Sequence, residues 1–312
     1  MKIIFMGTPD FAVYSLESLA EAQEIEILAV VTQPDRPKGR GQKLRPTAVK
    51  KKALDLKIPV LQSENINSEE FLEKLRALSA DAIVVVAFGQ KLSEEILNMT
   101  KYGCINLHGS LLPEYRGASP IHQAIIDGKK VTGITTMYMA EGWDTGDMIY
   151  KKEVDLKNND TVGSLHDKLA DIGADLLVKT LIDIEKGIAP REEQDDSKAT
   201  YASKIDKKTG RIDWSKTSEE IYNLVRGVNP WPTAHTYYQG KLLKVWKVEI
   251  DTQVDEDVEA GTILKADVNN GIVVKSGDAS IKITRLQVSG RKKMDAKKFL
   301  NGYTIDIGEK LG

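Results

Sequence analysis

The feature that most constrains the fold is an alternation, over about the first 150 residues, of short apolar runs with amphipathic segments of helical spacing. The apolar runs have the length and composition of buried strands. They are Lys2–Met6, Ile25–Thr32, Pro59–Gln62, Ala82–Phe88 and Gly103–Asn106. The helical segments are Phe11–Glu21, Ala48–Leu56, Glu69–Leu78 and Glu94–Met99. Strands that alternate with helices predict parallel βαβ units, and therefore a doubly wound, Rossmann-like α/β domain.

The second half of the chain changes character. Apolar residues at helical spacing predict a long helix over Thr161–Lys186, which would close the first domain. The polar stretch Gly187–Gly210 has the composition of an exposed linker. We therefore predict a catalytic domain over residues 1–187, a linker over 188–207 and a C-terminal domain over 208–312.

The C-terminal domain is predicted to be a small antiparallel sheet. One helical stretch, Ser218–Val225, precedes short apolar runs that are separated by Gly, Asn and Asp turns. These runs are Leu242–Ile250, Gly261–Ala266, Gly271–Lys275 and Ser280–Val288. A β-barrel of the oligonucleotide-binding type, an OB-like domain, fits this pattern, and a sandwich is the alternative.

Several classes of protein are excluded by composition. Apolar residues make up 41% of the chain and charged residues 29%, which is ordinary for a folded globular protein and not for a disordered one. No apolar run is long enough to cross a bilayer, and the N-terminus lacks the features of a signal peptide. The single cysteine, Cys104, allows no internal disulfide and is expected to be a small buried apolar residue. We expect a cytoplasmic protein.

The charge is distributed unevenly. Residues 204–312 carry 19 Lys and Arg against 15 Asp and Glu, whereas residues 1–203 carry 25 against 31. A mildly basic C-terminal domain is compatible with a nucleic-acid partner.

Three polar, glycine-containing segments lie where predicted strands end: Gly7–Ala12, Asn106–Gly117 and Glu141–Asp147. In open α/β sheets the ligand crevice lies outside the carboxyl ends of the strands. These segments are therefore the candidates for a binding or catalytic site.

Asn106 and His108 are two positions apart at the end of a predicted strand. If the extended backbone continues through them, both side chains leave the same face while Leu107 turns into the core. An amide and an imidazole in this arrangement suit a reaction in which negative charge builds up on a carbonyl oxygen. The alternative is an Asn-His pair that caps a turn.

Asp144 lies between Gly142 and Gly146, in a loop that could approach the same strand end. A carboxylate there could orient an imidazole or accept a proton from an attacking amine. An ordinary turn aspartate is the alternative.

Together these segments resemble the folate-dependent formyltransferase family, and the match runs from Met1 nearly to the C-terminus. The resemblance implies that Asn106, His108 and Asp144 form the catalytic centre, with 10-formyltetrahydrofolate as co-substrate and no metal. It also implies folate contacts from two stretches, which comprise Ser110, Leu111, Leu112 and Pro113, and Phe88, Gly89, Gln90, Lys91 and Leu92. The sequence departs from the family pattern at Trp143, where a smaller aliphatic residue is expected.

A basic segment after the second strand bears on the acceptor of the formyl group. It contains five cations, Arg36, Lys38, Arg40, Lys43 and Arg45, and the next helix adds three lysines at positions 50–52. Its prolines and glycines predict a loop without regular structure, which would be a solvated surface or a contact for phosphate. The segment resembles the loop by which family members that formylate methionyl-initiator tRNA approach the acceptor end, and Arg40 matches the arginine most closely tied to that role.

Three alternatives remain open from the sequence. The first is a folate formyltransferase or hydrolase with a small acceptor, such as a nucleotide, an amino sugar or water. The second is a dinucleotide-dependent oxidoreductase, although Gly7-Thr8-Pro9 lacks the glycine spacing of that fingerprint. The third is an RNA-binding protein without catalysis. We expect a monomer with no membrane partner, and the sequence itself does not determine the oligomeric state.

Overall fold

A computed structural model describes residues 1–38, 41–252 and 257–312, and only the backbone at Lys38. The chain forms two compact units, each assembled from segments that are distant in sequence. The first unit comprises Met1–Gly117, Val131–Asp155 and His166–Ala202, and the second comprises Ala118–Lys130, Leu156–Leu165 and Ser203–Gly312.

The elements follow in chain order. The strands of the first unit are β1 Lys2–Gly7, β2 Glu26–Thr32, β3 Arg36–Lys38, β4 Lys43–Arg45, β5 Val60–Gln62, β6 Ala82–Val86, β7 Cys104–His108, β8 Arg116–Gly117, β9 Val131–Tyr138, β10 Met148–Asp155 and β11 Tyr201–Ala202. The α-helices are α1 Phe11–Glu21, α2 Ala48–Asp55, α3 Glu69–Ala77, α4 Glu94–Leu97, α5 Pro120–Ile126, α6 Val162–Glu185, α7 Ser218–Gly227 and α8 Ala296–Leu300. Single 3₁₀ turns occur at Asp196–Lys198 and Lys208–Gly210.

The first unit is built around a seven-stranded sheet in the order β10-β9-β7-β6-β1-β2-β5. The five strands at one side of this sheet, β7, β6, β1, β2 and β5, are parallel to one another. Strand β9 runs antiparallel to both β7 and β10. The five strands predicted from apolar runs form the parallel part, so the doubly wound α/β fold is confirmed. Because parallel strands end at one edge, this topology brings the loops after β1, β6 and β7 to the same edge of the sheet.

The core lies on both faces of the central strands. On one face Ile4, Met6, Ile83 and Cys104 pack with residues of α3 and α4. Burial raises the pKa of the Cys104 thiol to about 12, which confirms its expected role as a small apolar side chain. The opposite face of β7 presents Leu107 toward α6, where only a glycine, Gly173, fits.

The second unit contains an antiparallel sheet in the order β12-β13-β16-β15-β14, with the short β17 paired to β16. These strands are β12 Ala234–Tyr238, β13 Lys241–Asp251, β14 Ile263–Asp267, β15 Gly271–Lys275, β16 Ser280–Val288 and β17 Met294–Asp295. The end of the chain links the two edges, because Leu311 N–H donates to Gly261 before β14 and Gly312 N–H donates to Tyr237 in β12, at 2.9 Å and 3.0 Å. The predicted antiparallel sheet is confirmed, with β12 as a strand that the sequence pattern did not indicate.

The segment predicted as an exposed linker is mostly exposed, but part of it is fixed to the first unit. Over residues 192–202 it packs into the first unit: Tyr201 and Ala202 pair with Arg116 and Gly117 as a parallel ladder, and Gln194 is buried. The contact units also divide the chain differently from the predicted boundaries, because α5 belongs to the second unit. Most side chains of residues 192–202 are exposed, as their polar composition predicts, and the segment is fixed to the first unit by a few hydrogen bonds, chiefly those of Gln194 and Thr200. No helix in the described ranges is long and apolar enough to cross a membrane.

The contact of β7 with α6 generates a prediction about stability. A Cβ at Gly173 would lie 2.5 Å from Ile134 Cδ1 and 2.9 Å from Leu107 Cδ2. Gly173→Val should therefore lower the free energy of unfolding in urea by about 1–3 kcal/mol, as overpacking does. Asp175→Val, on the exposed side of the same helix, should change it by only about 0.5 kcal/mol. An equal loss in both variants would show that β-branching in the helix, and not packing, is responsible.

Candidate active site

Strand β7 carries Asn106 and His108 to the carboxyl edge of the sheet. The strand continues through both residues, so the predicted alternation holds: Asn106 and His108 share one face and Leu107 is buried on the other. Among the described residues, the Asn106 amide makes no hydrogen bond, and its side chain is half-buried. It is therefore available to donate to a ligand at this edge.

The His108 ring is buried and lies between two oxygen acceptors. Its Nε2 is 3.0 Å from the Tyr115 carbonyl oxygen, and its Nδ1 is 3.7 Å from Asp144 Oδ2. The first distance is a hydrogen bond, whereas the second is longer than one. The carboxylate lies close enough to orient the ring.

The Asp144 loop is held in a specific backbone shape. Asp144 has φ of +54°, in the left-handed region that Asp tolerates better than most residues, and its Oδ2 accepts a 2.8 Å hydrogen bond from the Gly117 amide. A Cβ at Gly146 would lie 1.9 Å from the Tyr138 carbonyl oxygen, so only glycine fits there. The two glycines noted in the sequence therefore shape the loop that presents the carboxylate.

Two buried polar residues that the sequence analysis did not single out support this loop. Gln194 Nε2 donates to the carbonyl oxygens of Asp144 and Gly146 at 2.8 Å and 2.7 Å. Gln194 Oε1 in turn accepts from Nε and Nη2 of Arg116, at 3.0 Å and 2.9 Å. No local sequence signal could have found this arrangement, because the partners are 50 and 78 positions away from Gln194.

The predicted folate turn, residues 110–113, follows β7 directly. Ser110 is fully buried, and its hydroxyl donates to the Glu114 carbonyl oxygen at 2.6 Å. Thr135 of β9 ties the turn to the sheet, because its hydroxyl donates to the Ser110 carbonyl at 2.7 Å and accepts from the Leu112 amide at 3.2 Å. These polar groups are used within the protein, so the turn contributes a fixed surface and not a free hydroxyl.

The second predicted folate stretch, residues 88–92, follows β6. Phe88 is buried, and Gln90 is held by the Ile66 amide and the Ser63 carbonyl at 3.1 Å and 2.9 Å. A cavity of about 590 Å³ adjoins this stretch. It is lined by Asn67, Lys91, Leu92, Ser93, Glu94, Glu141 and Gly142. Two of the predicted folate residues therefore share a cavity with the beginning of the Asp144 loop.

Trp143 lies at the tip of the same loop. Its side chain is 67% exposed, so it points to solvent and takes no part in the packing around Asp144. The departure from the family pattern at this position therefore leaves the support of the carboxylate intact.

The basic segment contains regular structure, so the prediction of an irregular loop is wrong. Strands β3 and β4 pair as an antiparallel hairpin, with Arg36 opposite Arg45 and Lys38 opposite Lys43. Proline is tolerated here because a two-stranded ribbon is all edge. Arg40, to which the resemblance gives the greatest weight, lies outside the described residues.

Like charges that face each other across a ladder destabilise it, so the hairpin needs other support. Its base is anchored by Lys50, which donates to Asp35 Oδ2 and Gln62 Oε1 at 2.8 Å and 2.7 Å. Hydrogen bonds from Lys50 and Gln62 hold the pKa of the Asp35 carboxyl below its usual range. Lys52 pairs with Glu17, so two of the three helix lysines already have carboxylate partners.

The described ranges contain no group of three or more His, Cys, Asp or Glu side chains that could hold a metal ion. The candidate site consists of an amide, an imidazole and a carboxylate at one sheet edge, beside a cavity. Comparison with known proteins identifies the family of the chain. A family model described as formyl transferase matches residues 1–181, and a model of the formyl transferase C-terminal domain matches residues 204–304.

The chain belongs to the formyl transferase family. Curated relatives include the methionyl-tRNA formyltransferases of Halothermothrix orenii, 63% identical over 316 residues, and Clostridioides difficile, 50% identical over 313 residues. Each alignment covers 100% of both proteins. The methionyl-tRNA formyltransferase of Bacillus subtilis is 48% identical over 100% of this chain and 98% of its own.

Two solved structures share the fold. An N-formyltransferase of Helicobacter canadensis, solved with folinic acid and dTDP-3-aminofucose, has a TM-score of 0.66 at 19% identity and covers 94% of this chain and 100% of its own. HypX of Aquifex aeolicus in complex with tetrahydrofolic acid has a TM-score of 0.62 at 15% identity, over 99% of this chain and 50% of HypX. At these identities the likeness establishes a common fold alone.

Proposed function

We propose that this formyl transferase moves the formyl group of 10-formyltetrahydrofolate to the free amino group of methionyl-initiator tRNA. The products are N-formylmethionyl-tRNA, for translation initiation, and tetrahydrofolate. The observation that supports the reaction is the convergence of Asn106, His108 and Asp144 at the carboxyl edge of the sheet. The relatives that match over their full length support the acceptor.

The first step is attack of the deprotonated methionyl amine on the formyl carbon, which forms a C–N bond and moves charge onto the formyl oxygen. Asn106 can donate its free amide N–H to that oxygen. For His108 to donate as well, the formyl oxygen must replace one of the present partners of the ring, the Tyr115 carbonyl or the Asp144 carboxylate. Such preorganised donors stabilise the charged intermediate more than the starting amide. Asn106 is well placed because β7, the strand that carries it, is paired on both sides.

The second step breaks the bond between the formyl carbon and N10, and the amine proton must reach the departing nitrogen. Asp144 is the carboxylate that can accept this proton, directly or through water, and it can also support a proton on His108. The 3.7 Å separation of Asp144 and His108 is compatible with tightening when the substrates bind. No metal is needed for either step.

The folate substrate would lie against residues 88–92 and 110–113, with Lys91 and Leu92 reaching it through the shared cavity. That cavity is large enough for part of a folate, and Leu92 is the one large apolar residue in its otherwise polar and charged lining. The buried turn at Ser110 and Leu112 would give the pterin a rigid wall.

The acceptor would engage the β3–β4 hairpin. Its register places Arg36 opposite Arg45, and phosphate oxygens could accept hydrogen bonds from such closely spaced cations. Lys43 and Arg45 are exposed and available, whereas Arg36 is exposed but paired with Glu64. The OB-like C-terminal domain would supply a second tRNA contact. We further propose that the protein acts in the cytoplasm, because charged tRNA and folate are both found there. We also propose that it acts as a monomer.

The decisive experiment is to incubate the protein with 10-formyltetrahydrofolate and methionyl-tRNA, in its initiator and elongator forms, and to measure formylmethionine. We expect formylation of the initiator form, with much less for the elongator form. Transfer to an amino sugar or nucleotide, with no transfer to methionyl-tRNA, would overturn the proposal.

Replacing Asn106 tests the oxyanion role. Asn106→Ala should lower kcat by about 10²–10³, because one preorganised donor is lost, while the affinity for tRNA stays unchanged. Asn301→Ala, at an exposed position in the second unit, is the matched control and should retain full activity. Near-normal turnover of Asn106→Ala would remove this residue from the mechanism.

Replacing Asp144 tests the need for charge. Asp144→Asn keeps an oxygen that can accept from the Gly117 amide, so the thermal unfolding temperature should change little. It loses the carboxylate, so kcat should fall by about 10²-fold or more. A fully active Asp144→Asn enzyme would exclude a proton-handling or ring-orienting carboxylate.

Replacing the hairpin cations tests the tRNA contact. In one variant Arg36, Lys38, Arg40, Lys43 and Arg45 become Ala, and in its control five exposed lysines of the same unit, Lys57, Lys74, Lys151, Lys152 and Lys186, become Ala. Phosphate contacts contribute a slope of about −0.7 to −0.9 each to a plot of log affinity against log salt concentration. The hairpin variant should weaken tRNA binding and flatten this slope more than the control does, without loss of folate binding. Equal effects in both variants would assign the binding to net charge.

A further inference from the structure

We propose that Gln194 is a positioning residue, which holds the loop that presents Asp144. Its partner Arg116 lies in the segment Tyr115–Gly117, which contacts both Asp144 and His108. This inference rests on the proposed catalytic roles of Asp144 and His108. Residues 192–202 belong to the segment that the sequence predicts as a linker. In this proposal they hold the active-site loop in place, and we call them the brace.

The four hydrogen bonds of Gln194 use its whole amide group. Its NH₂ donates to the Asp144 and Gly146 carbonyls, and its oxygen accepts two N–H groups of Arg116. The side-chain oxygen and nitrogen of a glutamine can often be assigned either way round, but here only one assignment is possible. Arg116 has only donors, so the oxygen must face it, and the NH₂ must face the two carbonyls. The direction of the amide is therefore set by chemistry.

Burial makes this network sensitive to change. Gln194 is 7% exposed and Arg116 is 2% exposed, so water cannot replace a lost partner. The guanidinium charge is neutralised at its outer end by Asp196, whose Oδ1 lies 2.7 Å from Nη2. A change that removes only the NH₂ donors of Gln194 would leave two loop carbonyls without their partners and allow the loop to shift.

The segment Tyr115–Gly117 connects this network to both proposed catalytic side chains. The Tyr115 carbonyl accepts from His108, Arg116 holds Gln194, and the Gly117 amide donates to the Asp144 carboxylate. Three consecutive residues thus fix the ring, the loop and the carboxylate.

This segment is in turn held by the brace. The Tyr115 amide donates to the Thr200 hydroxyl at 2.8 Å, and the Arg116 amide donates to the Thr200 carbonyl at 2.8 Å. Gly117 pairs with Ala202, and a Cβ at Gly117 would lie 2.8 Å from the Ala202 carbonyl oxygen. The close approach of these two segments therefore requires glycine at position 117. The pairing with Ala202 also sets the position of the Gly117 amide, which donates to Asp144.

The test variant is Gln194→Glu. It keeps an oxygen for Arg116 but replaces the NH₂ with a second oxygen, which repels the Asp144 and Gly146 carbonyls. We expect kcat for formyl transfer to methionyl-tRNA to fall by about 10- to 100-fold, because small misplacements of reacting groups have effects of this size. KM for both substrates should stay within about twofold of the wild-type values, because positioning is lost and binding is not.

The control addresses charge. Glu193→Gln, at the exposed neighbouring position, should be as active as the wild type. The double variant Glu193→Gln/Gln194→Glu has the wild-type net charge and should be as impaired as Gln194→Glu alone. Recovery of activity in the double variant would overturn the proposal in favour of a general electrostatic effect.

A second background separates positioning from a general effect on folding. If Gln194 acts through Asp144, then Gln194→Glu should change kcat less than about threefold when Asp144 is already Asn. The same fold-loss in both backgrounds, or a loss that lies entirely in KM, would overturn the proposal.

Amide hydrogen exchange tests the positioning role of Gln194 without depending on which molecule accepts the formyl group. In Gln194→Glu, amide exchange should rise in peptides that contain residues 115–117 and 144–147 and remain unchanged elsewhere. This holds even if methionyl-tRNA is not the substrate, so failure of the proposed function and failure of the brace are distinguishable. If both amide exchange and kcat are unchanged in Gln194→Glu, the proposal that Gln194 positions the Asp144 loop is wrong.

If Gln194→Glu does not fold, Arg116→Lys examines the same contact from the other side. Lysine keeps the charge for Asp196 but cannot make the paired contact to the Gln194 oxygen. We expect kcat to fall about threefold to tenfold, and the loss to disappear in the Asp144→Asn background. An unchanged kcat in Arg116→Lys would overturn the proposal.

Discussion

The 2.8 Å hydrogen bond from the Gly117 amide to the Asp144 carboxylate is the contact on which the candidate active site depends. It joins a loop after β9 to the segment that follows the β7 turn, and so determines where the carboxylate stands relative to His108. Neither partner lies in the main sheet, and both are held by residues 192–202. The geometry of the site is therefore the product of a polar network and not of the apolar core alone.

The apolar core and the polar network hold different parts of the candidate site. Strand β7 is paired on both sides and packed on both faces, so Asn106 and His108 inherit the rigidity of the sheet. Asp144 comes from a loop, and loops need satisfied backbone groups to hold one shape when buried. Gln194 supplies them, which explains a buried glutamine where an apolar residue would pack equally well but leave two carbonyls unpaired.

The β3–β4 hairpin concentrates positive charge on a small ribbon at the surface. Its register places Arg36 opposite Arg45 and Lys38 opposite Lys43. Its base is secured by the Lys50, Asp35 and Gln62 contacts, so the arrangement persists. A polyanion would gain most from such a surface, whereas an amino sugar or water, which carry no phosphate, would gain little.

The sequence by itself determined the elements and the order in which they occur, because apolar periodicity reports directly on strands and helices. It also predicted that Asn106 and His108 share a face, since the strand repeat of two is local. Only the tertiary structure decided the basic hairpin, the linkage of the second sheet through Leu311 and Gly312, and the attachment of residues 192–202 to the first unit. In each case hydrogen-bond partners come from distant or irregular segments, and polarity alone does not distinguish a side chain solvated by water from one satisfied by protein. Gln194 and Arg116 are 78 positions apart, and only folding brings them together.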